Sequence, residues 1–129
     1  MHKGILVAGL ANILGVLLFS KGFQNPHLGP LFPALFGNWG LLCIMLWGLA
    51  YLSVAKSYRS VPALLLVFTL EKALYVVSWL FWLLTHGSQL PAIWALDSMT
   101  AIFYCLYGLL DFVFALVFWG AYRECRHSL

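Results

Sequence analysis

The chain has 129 residues, of which 64% are hydrophobic and only 9% charged, with a formal net charge of +3 and a mean hydropathy of +0.95. A water-soluble domain is about a quarter charged, so this chain lacks the polar surface to coat a water-facing fold, and lipid has to be its main solvent. Its few basic residues are scattered rather than gathered into a stripe, which argues against nucleic acid as a partner.

Four apolar stretches follow one another, at about residues 4–20, 38–55, 61–84 and 99–122. Each approaches the ~20 residues needed to cross ~30 Å of hydrocarbon at ~1.5 Å per residue. The runs are continuous rather than alternating, which excludes barrel strands. The expectation is an all-α, polytopic membrane protein, a bundle of four transmembrane helices forming a single domain over residues 1–129.

The first stretch begins after the short basic start Met1-His2-Lys3 and carries no charge until Lys21. The run is long enough to span, so the stretch reads as a retained signal-anchor helix rather than a cleaved signal. From Gly22 to Gly37 the chain contains Pro26, Pro30 and Pro33, which forbid one long regular helix. Leu28, Leu31, Phe32, Leu35 and Phe36 are too apolar for a solvated loop. This Pro-rich segment should lie in the membrane interface or cap the bundle. The second span ends near Lys56 and Arg59, and the third runs to Leu84. Gln89 to Asp97, with Pro91 and Trp94, reads as a shorter interfacial piece before the fourth span. Trp39, Trp94, Trp119 and Tyr122 fall near helix ends, where an aromatic belt belongs.

With four spans, both termini and the connection between spans two and three share one side. That side holds Lys3, Lys56, Arg59, Arg123 and Arg126, and the other holds Lys21 alone. The positive-inside rule therefore places both termini in the cytoplasm.

Cys43 and Cys105 fall within spans and Cys125 in the tail, with no CxxC pair and no cysteine in either outer connection. That argues against disulfide-generating chemistry. No histidine lies within a span, so an intramembrane haem lacks axial ligands. His27 and His86, in the two outer connections, read as independent interfacial residues. No metal site and no cofactor are expected.

The chemistry-bearing positions are Asn12, Glu71, Lys72 and Asp111. Charged groups within spans are costly, turn toward protein or water, and pair. Counted at ~1.5 Å per residue, all four lie about 12–17 Å from the cytoplasmic ends of their spans. On the fourth span Thr100, Tyr104, Tyr107 and Asp111 recur every three or four residues and share a stripe, flanked by Gly108 and Ala115. On the third, Tyr75 is one turn beyond Glu71, and Ser78 continues that face. On the first, Ala8, Asn12 and Gly15 make a small-residue face. On the second, Gly40, Trp47, Gly48 and Tyr51 form a seam. Glu71 and Lys72 stand about 100° apart on their helix, so the expected arrangement pairs Lys72 with Asp111. Glu71 then sits on the flank, hydrogen-bonded to Asn12 or to a tyrosine. The candidate ligand-binding or ion-pair residues are thus Asn12, Glu71, Lys72, Tyr75, Tyr104, Tyr107 and Asp111, with no residue assigned a catalytic role.

Four spaced motifs carry a resemblance. They are Gly9-x-x-Asn12-x-x-Gly15, Trp47-Gly48-x-x-Tyr51, Glu71-Lys72-x-x-Tyr75 and Tyr107-Gly108-x-x-Asp111-x-x-Phe114. On these residues the chain resembles a group of uncharacterised small four-helix proteins of the bacterial inner membrane, loosely DoxX-like. Such proteins carry a basic residue in the third span and an aspartate in the fourth. The resemblance implies fold, topology and a bacterial inner-membrane location, and brings no activity with it.

The leading functional expectation is a non-enzymatic membrane protein that lives among membrane lipids. It would bind a lipid-like or apolar ligand, or a partner membrane protein, at a centre lined by Tyr75, Trp79, Trp47, Tyr104 and Tyr107. One alternative is a proton-coupled small-molecule transporter or channel, working as a homo-oligomer, with Glu71 or Asp111 as the titrating group. Another is a membrane isomerase in which acids work beside aromatics. A cavity reaching lipid sideways favours ligand binding, and a polar path open to both faces favours transport.

Overall fold

Three prolines at the starts of helices and the glycine-marked breaks divide the described residues into six α-helices. A computed structural model describes residues 1–127. The helices are α1 (His2–Phe19), α2 (Pro33–Phe36), α3 (Asn38–Val54), α4 (Pro62–His86), α5 (Leu90–Leu96) and α6 (Ser98–His127), joined by short 3-10 turns. Helices account for 89% of the described residues and no strand forms among them, so the protein is all-α. Four helical segments are long and apolar enough to cross a membrane. This is a multi-pass membrane protein.

The outer surface of the bundle supports that reading residue by residue. Leu46 and Leu74 are each 63% exposed, and Leu14, Leu18, Val77, Phe112 and Leu116 join them on outward faces. Such an apolar coat is stable only against hydrocarbon. Trp39 and Trp94 are exposed near helix ends, and Trp119 is exposed two turns before the end of α6.

Helix α1 lies along α3, and α4 along α6, with α1 also touching α6. The α1–α3 contact is set by glycine. A Cβ on Gly9 would come within 2.8 Å of the Gly48 carbonyl oxygen, and a Cβ on Gly48 within 2.8 Å of the Gly9 oxygen. In lipid, where helix association depends on close packing, such paired small residues hold backbones together. Gly108 performs a related task on α6, because a Cβ there would stand 2.0 Å from the Trp79 indole.

The chain leaves α1 through a left-handed turn in which Lys21, Gly22 and Phe23 all have positive φ, of 53°, 67° and 69°. Two of these are not glycine, so the turn needs support. The Phe23 N–H donates to Ser20 Oγ at 2.9 Å, and the Asn25 side-chain amide donates to the Phe19 carbonyl at 2.9 Å. The Pro-rich segment then folds over the bundle. Leu28 and Phe36 are fully enclosed. The Tyr104 hydroxyl donates to the Leu28 carbonyl at 2.7 Å, and the Trp82 indole to the Leu31 carbonyl at 3.2 Å. The segment is therefore a cap, tied by backbone carbonyls that proline and helix ends leave without intrahelical donors.

Two apolar cores result. One, at the end that holds the N-terminus, gathers Ile5, Tyr51, Phe68, Phe114 and Phe118. The other, under the cap, gathers Phe36, Trp79, Trp82, Phe103, Tyr104 and Tyr107. The polar residues of the spans lie between them.

Candidate functional site

Lys72 is the centre of the polar layer. It is 1% exposed, and its Nζ donates to Asn12 Oδ1 at 2.9 Å and to Asp111 Oδ1 at 3.1 Å. The rings of Tyr51 and Phe114 cover its remaining side, with centroids 5.2 and 5.9 Å from Nζ. An ammonium so deep in an apolar bundle needs this full set of partners. Asn12 carries the network one helix further, since its Nδ2 donates to the Ile44 carbonyl on α3 at 2.9 Å.

Adjacent on α4, Glu71 turns the other way. It is buried and accepts a hydrogen bond from the Tyr51 hydroxyl on α3. The ~100° between neighbouring helical side chains thus sends Lys72 toward α1 and α6 and Glu71 toward α3. All four spanning helices contribute to one layer, and Asn12 bonds to Lys72 rather than to Glu71.

Beside this layer lies a pocket of about 80 Å³. Asn12, Glu71, Lys72, Tyr75, Tyr107 and Asp111 form its polar lining, and Val16, Phe19, Phe36, Phe103 and Phe114 much of its apolar wall. Leu106 and Leu110 edge it, 42% and 48% exposed on the outward side of α6. Opposite them, Gly15 lines the pocket from α1, and a Cβ built on it meets nothing within 4 Å. On the α6 side the pocket is thus bordered by side chains that face the surrounding lipid.

Six of the seven candidate residues thus share one pocket. Tyr104 stands apart, because its hydroxyl is taken by the Leu28 carbonyl and its ring lies 4.5 Å from that of Trp82. Trp47 packs against Phe68, and the Trp79 indole donates to the Tyr104 carbonyl at 2.7 Å, so neither lines the pocket. Ser78 donates to the Leu74 carbonyl of its own helix. Tyr51, Phe36 and Gly15 complete the site without appearing among the candidates. Tyr51 and Gly15 were visible as small-residue or aromatic positions on inward faces. Phe36 had only the unusual apolarity of its Pro-rich segment as a signal.

A second polar cluster ties the cap to α6. Lys21 Nζ lies 3.2 Å from Asp97 Oδ1, Thr100 Oγ1 donates to Asp97 Oδ2 at 2.6 Å, and Asn25 donates to Thr100 at 3.0 Å. The Thr100 hydroxyl, and then Lys21, hold the Asp97 carboxyl below the usual carboxylate range. At the opposite end the Tyr58 hydroxyl donates to Glu124 Oε2 at 2.8 Å, and Arg59 reaches Glu124 Oε1 at 3.1 Å. His86 stacks on Trp82, with its Nδ1 2.7 Å from Thr85 Oγ1.

Fold and site together define a class, a multi-pass α-helical membrane protein with an intramembrane polar layer beside a lipid-facing pocket. The chain matches no protein-family model, no curated protein and no solved structure.

Proposed function

We propose that this protein binds an amphipathic molecule drawn sideways from the membrane, in the pocket between α1 and α6, without chemical conversion of it. The observation that carries the reading is a pocket wall in which Leu106 and Leu110 face outward and Gly15 leaves open room, next to buried polar groups. Small-molecule sites combine such apolar walls with a few placed polar groups. Lys72 and Asp111 act as an ion pair that fixes α4 against α6 and gives the pocket its polar floor.

The setting proposed is the bacterial inner membrane, following the resemblance of the spaced Asn12, Lys72 and Asp111 motifs to small four-span proteins of that membrane. Five basic residues on the side of the termini against Lys21 alone support a cytoplasmic location for both ends.

Purification of the protein into lipid nanodiscs, followed by native mass spectrometry, tests the reading. Wild type should retain a stoichiometric amphiphile, and Gly15→Phe, whose ring fills the opening, should lose it while keeping the same helical circular dichroism. Equal retention by both proteins would refute the pocket as the site.

A further inference from the structure

Taking the pocket as an amphiphile site, as proposed above, we infer that its ligand carries an uncharged, hydroxyl-bearing head that bonds to Tyr107 and Asp111. The charges around the pocket decide the class. Lys72 is the one cation among its lining residues, and its ammonium is already spent on Asn12 and Asp111, with aromatic rings over its free side. An anionic head would find no free cation and would face the carboxyls of Glu71 and Asp111. A cationic head would be forced beside the Lys72 ammonium, with Asp111 already engaged by it and Glu71 already accepting from the Tyr51 hydroxyl.

What the pocket offers is neutral. Tyr107 is 7% exposed and lines the pocket one turn from Asp111. Its buried hydroxyl has no hydrogen-bond partner among the described residues, an arrangement that is costly to leave unmade. The Tyr107 ring is fixed by stacking on Phe103 and by the edge of Phe36, with centroids at 5.2 and 4.7 Å. Lys72 engages Asp111 through Oδ1, which leaves Oδ2 as an acceptor. A ligand hydroxyl donates to a carboxylate oxygen and accepts from a phenol, so a single alcohol head serves both groups.

Size agrees with a head group rather than a whole lipid. Sites that enclose a drug-sized molecule run from about 300 Å³ upward, and this pocket holds about 80 Å³. The head and first carbons fit inside, and the tail passes between Gly15 and Leu106–Leu110 into the membrane.

Three ten-carbon probes that differ only in the head test the class: decanol, decanoate and decylammonium. Each is titrated into nanodisc-embedded protein at neutral pH and scored by native mass spectrometry for wild type, Tyr107→Phe and Gly15→Phe. The expected result is decanol binding at least about tenfold tighter than either charged probe, the cost of placing a charge among the buried charges of the pocket. Tyr107→Phe should weaken decanol binding about fivefold to tenfold, the loss of roughly one hydrogen bond, and Gly15→Phe should abolish binding of all three. Decanoate or decylammonium binding as tightly as decanol, blocked by Gly15→Phe, would overturn the head class and leave the pocket standing. Decanol affinity unchanged in Tyr107→Phe would overturn the role given to that hydroxyl. Binding of every probe untouched by Gly15→Phe, or of none, would overturn the pocket itself.

Discussion

Lys72 Nζ stands 3.1 Å from Asp111 Oδ1, with side chains 2% and 16% exposed, in a bundle whose outer face is apolar throughout this depth. The contact joins α4 to α6 across the plane between the two apolar cores. Its neighbour Glu71, though adjacent in sequence, belongs to a different helix pair through Tyr51.

Removing one member of the Lys72–Asp111 pair leaves the other buried without its countercharge. Lys72→Met and Asp111→Leu should each cost about 3–5 kcal/mol, and the double variant should recover much of the loss. Unfolding by sodium dodecyl sulfate in mixed micelles measures all three. Additive losses in the double variant would mean the two residues act independently.

Tyr51 supplies the hydrogen bond that Glu71 accepts. Tyr51→Phe keeps the ring between Phe68 and Phe118, at 4.7 Å from each, and removes only the donor. The same mixed-micelle titration should show a loss of about 1–3 kcal/mol, the cost of stranding a buried acceptor. Glu71→Gln, which keeps an acceptor for Tyr51, should cost less than Tyr51→Phe.

Two glycines on α1 and α3 should respond in opposite ways to alanine. Gly48→Ala places a Cβ 2.8 Å from the Gly9 oxygen and 2.9 Å from Asn12 Cβ, and should destabilise the α1–α3 contact by about 1–3 kcal/mol. Gly15→Ala meets open space and removes the helix penalty of glycine, a gain of up to about 1 kcal/mol. Thermal melting in detergent distinguishes the two.

The Asp97 cluster gives the cap an acid limit. Asp97 is held below the usual carboxylate range, by Thr100 first and Lys21 after it. A depressed native pKa means its contribution is fully present above the unfolded value, at about pH 4, and is lost as pH falls through the lower native value. Hydrogen exchange of the Pro-rich segment, residues 22–37, should therefore quicken below about pH 4 in wild type. Asp97→Asn should exchange faster at neutral pH and show a weaker acid response.

The spans were legible because hydrophobic runs bounded by Pro, Gly and charge admit few alternatives. The expected boundary at residue 38 coincides with the start of α3, and Pro62 opens α4 one residue after the expected 61. The fourth span, α6, runs on to His127, beyond the expected 122, because Arg123, Glu124 and Arg126 are good helix formers that find water past the membrane edge. The common depth of Asn12, Lys72 and Asp111 was readable from residue counts alone. Which tyrosine joins them was not. Tyr104 and Tyr107 share the Asp111 stripe, yet the cap takes Tyr104 through the Leu28 carbonyl, a long-range contact without a local signature. The same is true of Phe36, whose Pro-rich surroundings predict a break in the helix but not its descent among Phe103, Tyr104 and Tyr107.

The central claim is that an amphiphile enters between α1 and α6, and photoaffinity labelling tests it most directly. A decanol analogue with a diazirine in its tail, activated in nanodiscs with and without excess decanol, should label residues 11–19 and 103–110, and the excess should suppress that labelling. Labelling spread evenly over other lipid-facing positions, such as Leu42, Leu46, Leu74 and Leu80, and insensitive to competitor, would contradict it.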